Sequence, residues 1–333
     1  MSFAKNILPG VFSAELRYLI GLNLSFNDLK QLGRKCATRG DAGLYERLIG
    51  RYDPQLKLPS GFQFERFVGF NGKGENTLDS FRVLRSGELN VFEKFYQNGS
   101  VDWVKVSFFM DYHAGEIDSS RVYIPKMINS ASGKGLVVSH SEYVTVLGVG
   151  PSKYFDVALT CIDELSRLRL NPSAPELLFD IMLHAGFARC YRKSLGFAKE
   201  FGVSLKVYQR ALDRVLKMQR FVAHGDLSVK NMSAPCYIFD WDNFGYYPPG
   251  FDLALCLVKA GSIASEGSVA DFSRRYYPLY SSGCTAEDFY LALLFFCVVF
   301  TGNRNVPFKK ALLESLQEAL SQSEVTPLAR AMC

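Results

Sequence analysis

The residues whose types suit chemistry gather in one stretch, Phe221 to Phe251. It reads His224-Gly225-Asp226-Leu227-Ser228-Val229-Lys230-Asn231, then Tyr237-Ile238-Phe239-Asp240-Trp241-Asp242, then Pro248-Pro249-Gly250-Phe251-Asp252-Leu253-Ala254. The pattern places Asp226 and Asn231 on one loop behind a helix. It places Asp240 at the end of a short apolar strand, Cys236 to Phe239. Three oxygen donors on a loop and a strand end suit Mg²⁺, a hard cation usually held by a few carboxylates plus phosphate oxygens. Asp252 opens the next apolar run and could equally serve as the cap of its helix.

The order His-Gly-Asp, Asn five positions after the Asp, Ile-x-Asp-Trp-Asp and then Asp-Leu-Ala resembles the aminoglycoside phosphotransferase and choline kinase families, which share the protein kinase-like fold. The resemblance implies a role for each residue. Asp226 would be the catalytic base that orients the acceptor hydroxyl. Asn231 and Asp240 would hold the Mg²⁺ ions that bridge the phosphates of ATP. His224 would brace the loop, and Asp252 would anchor it by hydrogen bonding.

The same resemblance asks for a phosphate-binding lysine on the third strand of a smaller lobe. Lys94, in Val91-Phe92-Glu93-Lys94-Phe95-Tyr96, has that place. Strand alternation puts Phe92, Lys94 and Tyr96 on one face. A lysine among apolar neighbours needs a phosphate or carboxylate partner, unless it lies at a sheet edge. The carboxylate candidates are Asp102, Asp111 and Glu116. The glycine-rich turn from Gly69 to Asn76 could bring backbone N–H groups to the phosphates, through Gly72, Gly74 and Asn76. Such turns also simply join strands. Ser139 to Val144 would be the hinge beside the adenine, with the His140 and Glu142 side chains in solvent.

The elements that must position these residues follow from periodicity. Residues 1–55 read as a helical N-terminal extension, with Ser25-Phe26-Asn27-Asp28 as a capping box at one helix start and Asp41 as the cap of another. Residues 56–145 read as a small lobe of five strands, antiparallel by the resemblance. One helix, Val101 to Tyr112 behind Ser100, follows the third strand, and the last two strands lie near Arg121–Ile128 and Gly135–Val144. Residues 146–333 read as a mainly helical lobe. Phe155, Ala158, Ile162, Leu165 and Leu168 recur at helical spacing, as do Leu205, Leu212, Val215 and Leu216. The expected fold is therefore α+β, two-lobed and protein kinase-like.

Composition narrows the rest. The chain of 333 residues has a net charge of +5 and no dense Lys/Arg stripe, which argues against a nucleic-acid partner. Eight scattered cysteines without a CxxC pair fit reduced thiols and a cytoplasmic setting. No apolar region follows Lys5, so a signal peptide is not expected. The longest apolar run, Phe289 to Phe300, is short of the roughly 20 residues of a membrane span and reads as a core helix. Peripheral membrane contact and the oligomeric state stay open.

Two features argue against a protein acceptor. Gly225 stands where protein kinases carry an arginine that reads a phosphorylated activation loop. Only eleven residues separate Asp240 from Asp252, too few for an activation segment. The resemblance then implies a small hydroxylated acceptor: an aminoglycoside, choline or ethanolamine, a sugar, or a lipopolysaccharide core sugar. An aminoglycoside pocket would use acids such as Asp163, Glu164, Glu176 and Asp180. A choline pocket would use aromatics such as Trp241, Phe244, Tyr246 and Tyr247. The mildly basic balance leans toward an anionic glycan. A pseudokinase that presents a binding surface is the competing class.

Overall fold

The structure is a computed structural model that describes residues 63–72, 78–86, 89–97, 99–133, 136–144, 151–260, 266–301 and 309–331. The expected helical extension 1–55, Gly74 and Asn76 lie outside the described residues. The chain divides into two compact units. One comprises Met1–Trp103 with Pro125–Val144, the other Val104–Ile124 with Thr145–Cys333.

The first unit is built on β1 (Gln63–Gly72), β2 (Leu78–Ser86), β3 (Leu89–Gln97), β4 (Met127–Gly133) and β5 (Leu136–Glu142). They form one antiparallel sheet in the order β1-β2-β3-β5-β4. β3 lies in the middle, with Phe81 and Ser139 opposite Lys94. Lys94 is therefore not at an edge. Gly72 is the last residue of β1. The strand expected at Arg121–Ile128 begins only at Met127. Pro125 has no N–H for a ladder, and Tyr123 pairs elsewhere, bridging Tyr237 in the second unit.

Helix α1 (Val101–Tyr112) starts where Ser100 Oγ accepts a hydrogen bond from Trp103 N at 3.3 Å. Its residues from Val104 on belong to the second unit. There Phe109 is fully buried, its ring stacked on Trp241 with centroids 3.7 Å apart.

The second unit continues with α2 (Pro151–Arg167), α3 (Ala185–Glu200), α4 (Leu205–Leu216), α5 (Phe251–Ala260), α6 (Glu266–Tyr276), α7 (Ala286–Thr301) and α8 (Lys309–Ala331). Short strands β6 (Phe221–Ala223) and β9 (Gly245–Tyr247) pair with each other. So do β7 (Met232–Ser233) and β8 (Tyr237–Ile238). Of the predicted α2 stripe, Ala158, Ile162 and Leu165 are buried, whereas Phe155 is half-buried and Leu168 lies half-buried past the helix end; Tyr154 and Cys161 complete the buried face. In α4 the buried face is Tyr208, Ala211, Leu212 and Val215. Leu205 instead stays half exposed in the first turn, after the Ser204 cap. α7 is buried nearly all round from Phe289 to Thr301, so it is the core helix that its composition predicts. Among the described residues, no helix is long and apolar enough to cross a membrane.

Candidate active site

The loop between β6 and β7 carries His224, Gly225, Asp226 and Asn231. Asp252, in the first turn of α5, clamps its start. Its two carboxylate oxygens accept hydrogen bonds from His224 N at 2.7 Å and Gly225 N at 2.9 Å. Burial pushes the Asp252 pKa up to about 6, against the lowering effect of those two bonds. The expected anchor role of Asp252 thus has a geometry.

Two histidines fix the loop from either side. His224 Nδ1 accepts from Asp226 N at 3.1 Å, so its Nε2 is the nitrogen that donates to Phe239 O at 3.1 Å. This ring ties the Asp226 loop to the strand end before Asp240. His184 Nδ1 likewise accepts from Phe187 N, and its Nε2 donates to Gly225 O at 2.7 Å. Burial pushes both histidines down to about 4, so both stay neutral near pH 7. Neither does proton chemistry there.

Gly225 has φ +86, and a Cβ on it would fall 2.1 Å from Asn243 O. An arginine at this position is excluded by backbone sterics, which explains the departure from the protein kinase pattern.

Asp226 is held on both carboxylate oxygens. Oδ1 accepts from Lys259 Nζ at 2.6 Å. Oδ2 accepts from Asn231 Nδ2 at 3.1 Å and lies 3.4 Å from Lys230 Nζ. Burial pushes the Asp226 pKa up, but the Lys259 and Lys230 charges outweigh it and leave it below the usual carboxylate value. Asp226 is therefore ionised at neutral pH. A carboxylate has about four lone-pair sites, so an acceptor hydroxyl can still bond to it.

Asn231 also donates from Nδ2 to Asp226 O at 2.9 Å. With its nitrogen so committed, its amide oxygen points away from Asp226. Asp240 is the positive-φ non-glycine among the described residues, at φ 67 and ψ 63. Such a conformation costs about 1–3 kcal/mol and persists where the surroundings enforce it. The next residue, Trp241, packs between Phe109 and the His224 ring 4.4 Å away. One amide oxygen and one carboxylate fit Mg²⁺, which takes few protein ligands and keeps positions for phosphate oxygens. Among the described residues, no three His, Cys, Asp or Glu gather into a metal-holding group.

In the first unit, Lys94 is 5% exposed with its ammonium 4.9 Å from the centroid of the Tyr96 ring. Of its candidate carboxylate partners, Asp102 belongs to the same unit, whereas Asp111 and Glu116 belong to the other. His140 is not solvated. It is buried, and its Nε2 meets Glu93 Oε2 at 2.8 Å across the β3–β5 ladder. Glu142 is half-buried and accepts from Lys126 N at 3.0 Å. The expected hinge residues Ser139 to Glu142 belong to β5.

The acceptor candidates change as well. Trp241, Phe244, Tyr246 and Tyr247 are fully buried core residues and form no open cage. Asp163 and Glu164 are paired with Arg121 and Arg167. Asp180 caps Met182 N at 2.8 Å. Sequence reading missed Lys259 and His184. Lys259 had a signal, because Asp252, Cys256 and Lys259 share one helix face at i, i+4 and i+7. A lone histidine such as His184 offered none.

Residues 162–285 match the model of the phosphotransferase enzyme family, APH. That stretch holds the whole loop system from His184 to Lys259. The match falls on the same stretch as the resemblance carried by His224 to Ala254. Among solved structures, a thermostable mutant of aminoglycoside phosphotransferase APH(4)-Ia with ADP and hygromycin B is similar at 11% identity and a TM-score of 0.46. That match covers 77% of this chain and 95% of the other. Aminoglycoside phosphotransferase APH(2'')-Ib with ADP is similar at 14% identity and a TM-score of 0.34, covering 84% and 97%. Spectinomycin phosphotransferase APH(9)-Ia with ADP and spectinomycin is similar at 11% and 0.36, covering 77% and 88%. No curated protein matches the chain in sequence.

Proposed function

We propose that this protein transfers the γ-phosphoryl group of ATP, with Mg²⁺, to a hydroxyl of a small molecule or glycan. The acceptors in view are an aminoglycoside, choline or ethanolamine, a sugar, or a lipopolysaccharide core sugar. In this reading residues 56–145 serve as the nucleotide lobe and 146–333 as the catalytic lobe, with 1–55 as an extension. Lys94, Gly72, Gly74 and Asn76 serve the phosphates from the first unit.

The observation that carries the proposal is the state of Asp226. It is an ionised carboxylate, 20% exposed, on a loop fixed by Asp252, His184 and His224. A base fixed in this way orients an acceptor hydroxyl without reorganising, and phosphoryl transfer depends mostly on such positioning. As the acceptor oxygen bonds to the γ-phosphorus, its proton passes to Asp226. The bond from phosphorus to the bridging oxygen breaks, and its electron pair leaves with ADP. Asn231 and Asp240 would hold Mg²⁺, which supplies charge neutralisation at the phosphates.

Replacing Asp226 tests the reading. Asp226→Asn removes the base but keeps the shape, so ATP binding should survive while turnover falls roughly 10²-fold or more. Turnover equal to the parent would remove Asp226 from the mechanism.

A further inference from the structure

The charges around Asp226 have the wrong sign for a cationic acceptor. Lys259 stands 2.6 Å from one carboxylate oxygen and Lys230 stands 3.4 Å from the other. Lys259 is about three-quarters buried, and Lys230 is exposed. Beside Lys259 lies α3, whose Cys190 experiences the positive charges of Arg189, Lys193 and Lys259 together. Arg189 and Lys193 are both exposed. α3 packs against α5 through Phe187 and Phe251, with ring centroids 6.1 Å apart. Several of the acids considered for a cationic acceptor are engaged, while Glu176 is exposed. Asp226 is the base, Asp240 faces metal chemistry, and Asp252 is buried beneath two backbone N–H groups. Asp163, Glu164 and Asp180 have partners elsewhere. Two cations, Lys259 and Lys230, thus flank the carboxylate that must meet the hydroxyl.

We propose that the acceptor carries an oxyanion, a phosphate or carboxylate, next to the hydroxyl that is phosphorylated, and that Lys259 and Lys230 hold that group. The proposal rests on the phosphotransferase reading and narrows its substrate class. An incoming oxyanion would compete with Asp226 for Lys259, freeing a lone pair of Asp226 for the hydroxyl. A polycationic acceptor would instead meet the like charges of Lys259 and Lys230 in a region screened only over about 8–10 Å at ordinary ionic strength.

The test uses three versions of one hydroxylated ring: glucose 6-phosphate, glucose and glucosamine, which are anionic, neutral and cationic. Each is titrated calorimetrically into protein saturated with MgADP at low salt. The expected order of affinity is glucose 6-phosphate, then glucose, then glucosamine. Lys259→Met should weaken glucose 6-phosphate about tenfold or more, the loss of one charge-assisted contact, and weaken it more than it weakens glucose. The surface variant Lys230→Ala should weaken it in the same direction, with no buried group disturbed. Heat from none of the three, an order led by glucosamine, or an order unchanged in both variants overturns the proposal. MgADP is titrated first. If it fails to bind, the kinase reading fails separately, and the charge order is then read on the free protein.

Discussion

Replacing Gly225 with alanine tests why the loop has its shape. The position has φ +86, where an L-residue costs roughly 1–2 kcal/mol. The added Cβ would lie 2.1 Å from Asn243 O, 2.8 Å from Asn243 C and 3.0 Å from Asn243 Cβ. Ordinary contact begins near 3.4 Å, so one backbone segment must retreat by more than 1 Å. The Asn243 carbonyl is not free to do so, since it accepts from Tyr247 OH at 2.9 Å. The Gly225 side is fixed by Asp252 and His184. Forced overpacking of this kind costs a further 1–3 kcal/mol or so. The expected total is about 2–5 kcal/mol of stability, read by urea unfolding of the variant against the parent. Asp226 follows Gly225 directly, and a displacement near 1 Å at a positioned base can cost about 10²-fold in rate. Turnover of ATP should therefore fall even where the variant remains folded. A variant within about 0.5 kcal/mol of the parent with full turnover would refute the claim that this backbone shape is enforced and needed.

Further outcomes concern pH and packing. His184 and His224, held near 4 against an ordinary value of 6.5, bind protons only when unfolded between those pH values, so they make stability rise with pH. Asp252, raised to about 6, keeps its proton in the folded state and opposes them below pH 6. Two protons against one leaves a net gain of one, so stability should fall by about 2–3 kcal/mol from pH 6 to pH 4. Urea midpoints across that range measure it, and a flat or opposite trend would contradict the neutral histidine pair. Asp252→Asn should steepen this acid loss, because it removes the opposing group. Phe109→Ala should cost about 3–5 kcal/mol by unhooking the Trp241 stack, read by thermal unfolding, with Mg²⁺-dependent nucleotide binding weakened alongside.

Much of the site was legible because its residues are close in sequence and their types are chemically narrow. Asp226, Asn231, Asp240 and Asp252 occupy one stretch, so no long-range geometry had to be guessed. Helices with clear stripes, such as α2, and the all-apolar α7 were equally readable. The shortfalls have physical causes. The run Arg121–Ile128 looked like one strand, but Pro125 interrupts it and the two halves join different units. His140 looked solvated by type, yet its cross-strand partner Glu93 makes burial tolerable. Local sequence does not show a pairing made across a ladder. The aromatics near Asp240 could line a cage or a core, and only packing distinguishes the two. Lys259 is 33 positions from Asp226, and its pairing depends on how α5 returns beneath the loop.

The most direct test of the central claim is calorimetric titration of ATP, with and without Mg²⁺, into the parent protein and into Asp240→Ala. Asp240 has no part in the Asp252 clamp, so its loss should leave the loop in place and remove a metal ligand. The expected result is Mg²⁺-dependent binding in the parent that is lost or much weakened in the variant. Equal binding by the two proteins would contradict the metal assignment. No binding of ATP or GTP to the parent would contradict the kinase reading and favour a fold that only presents a surface to a partner.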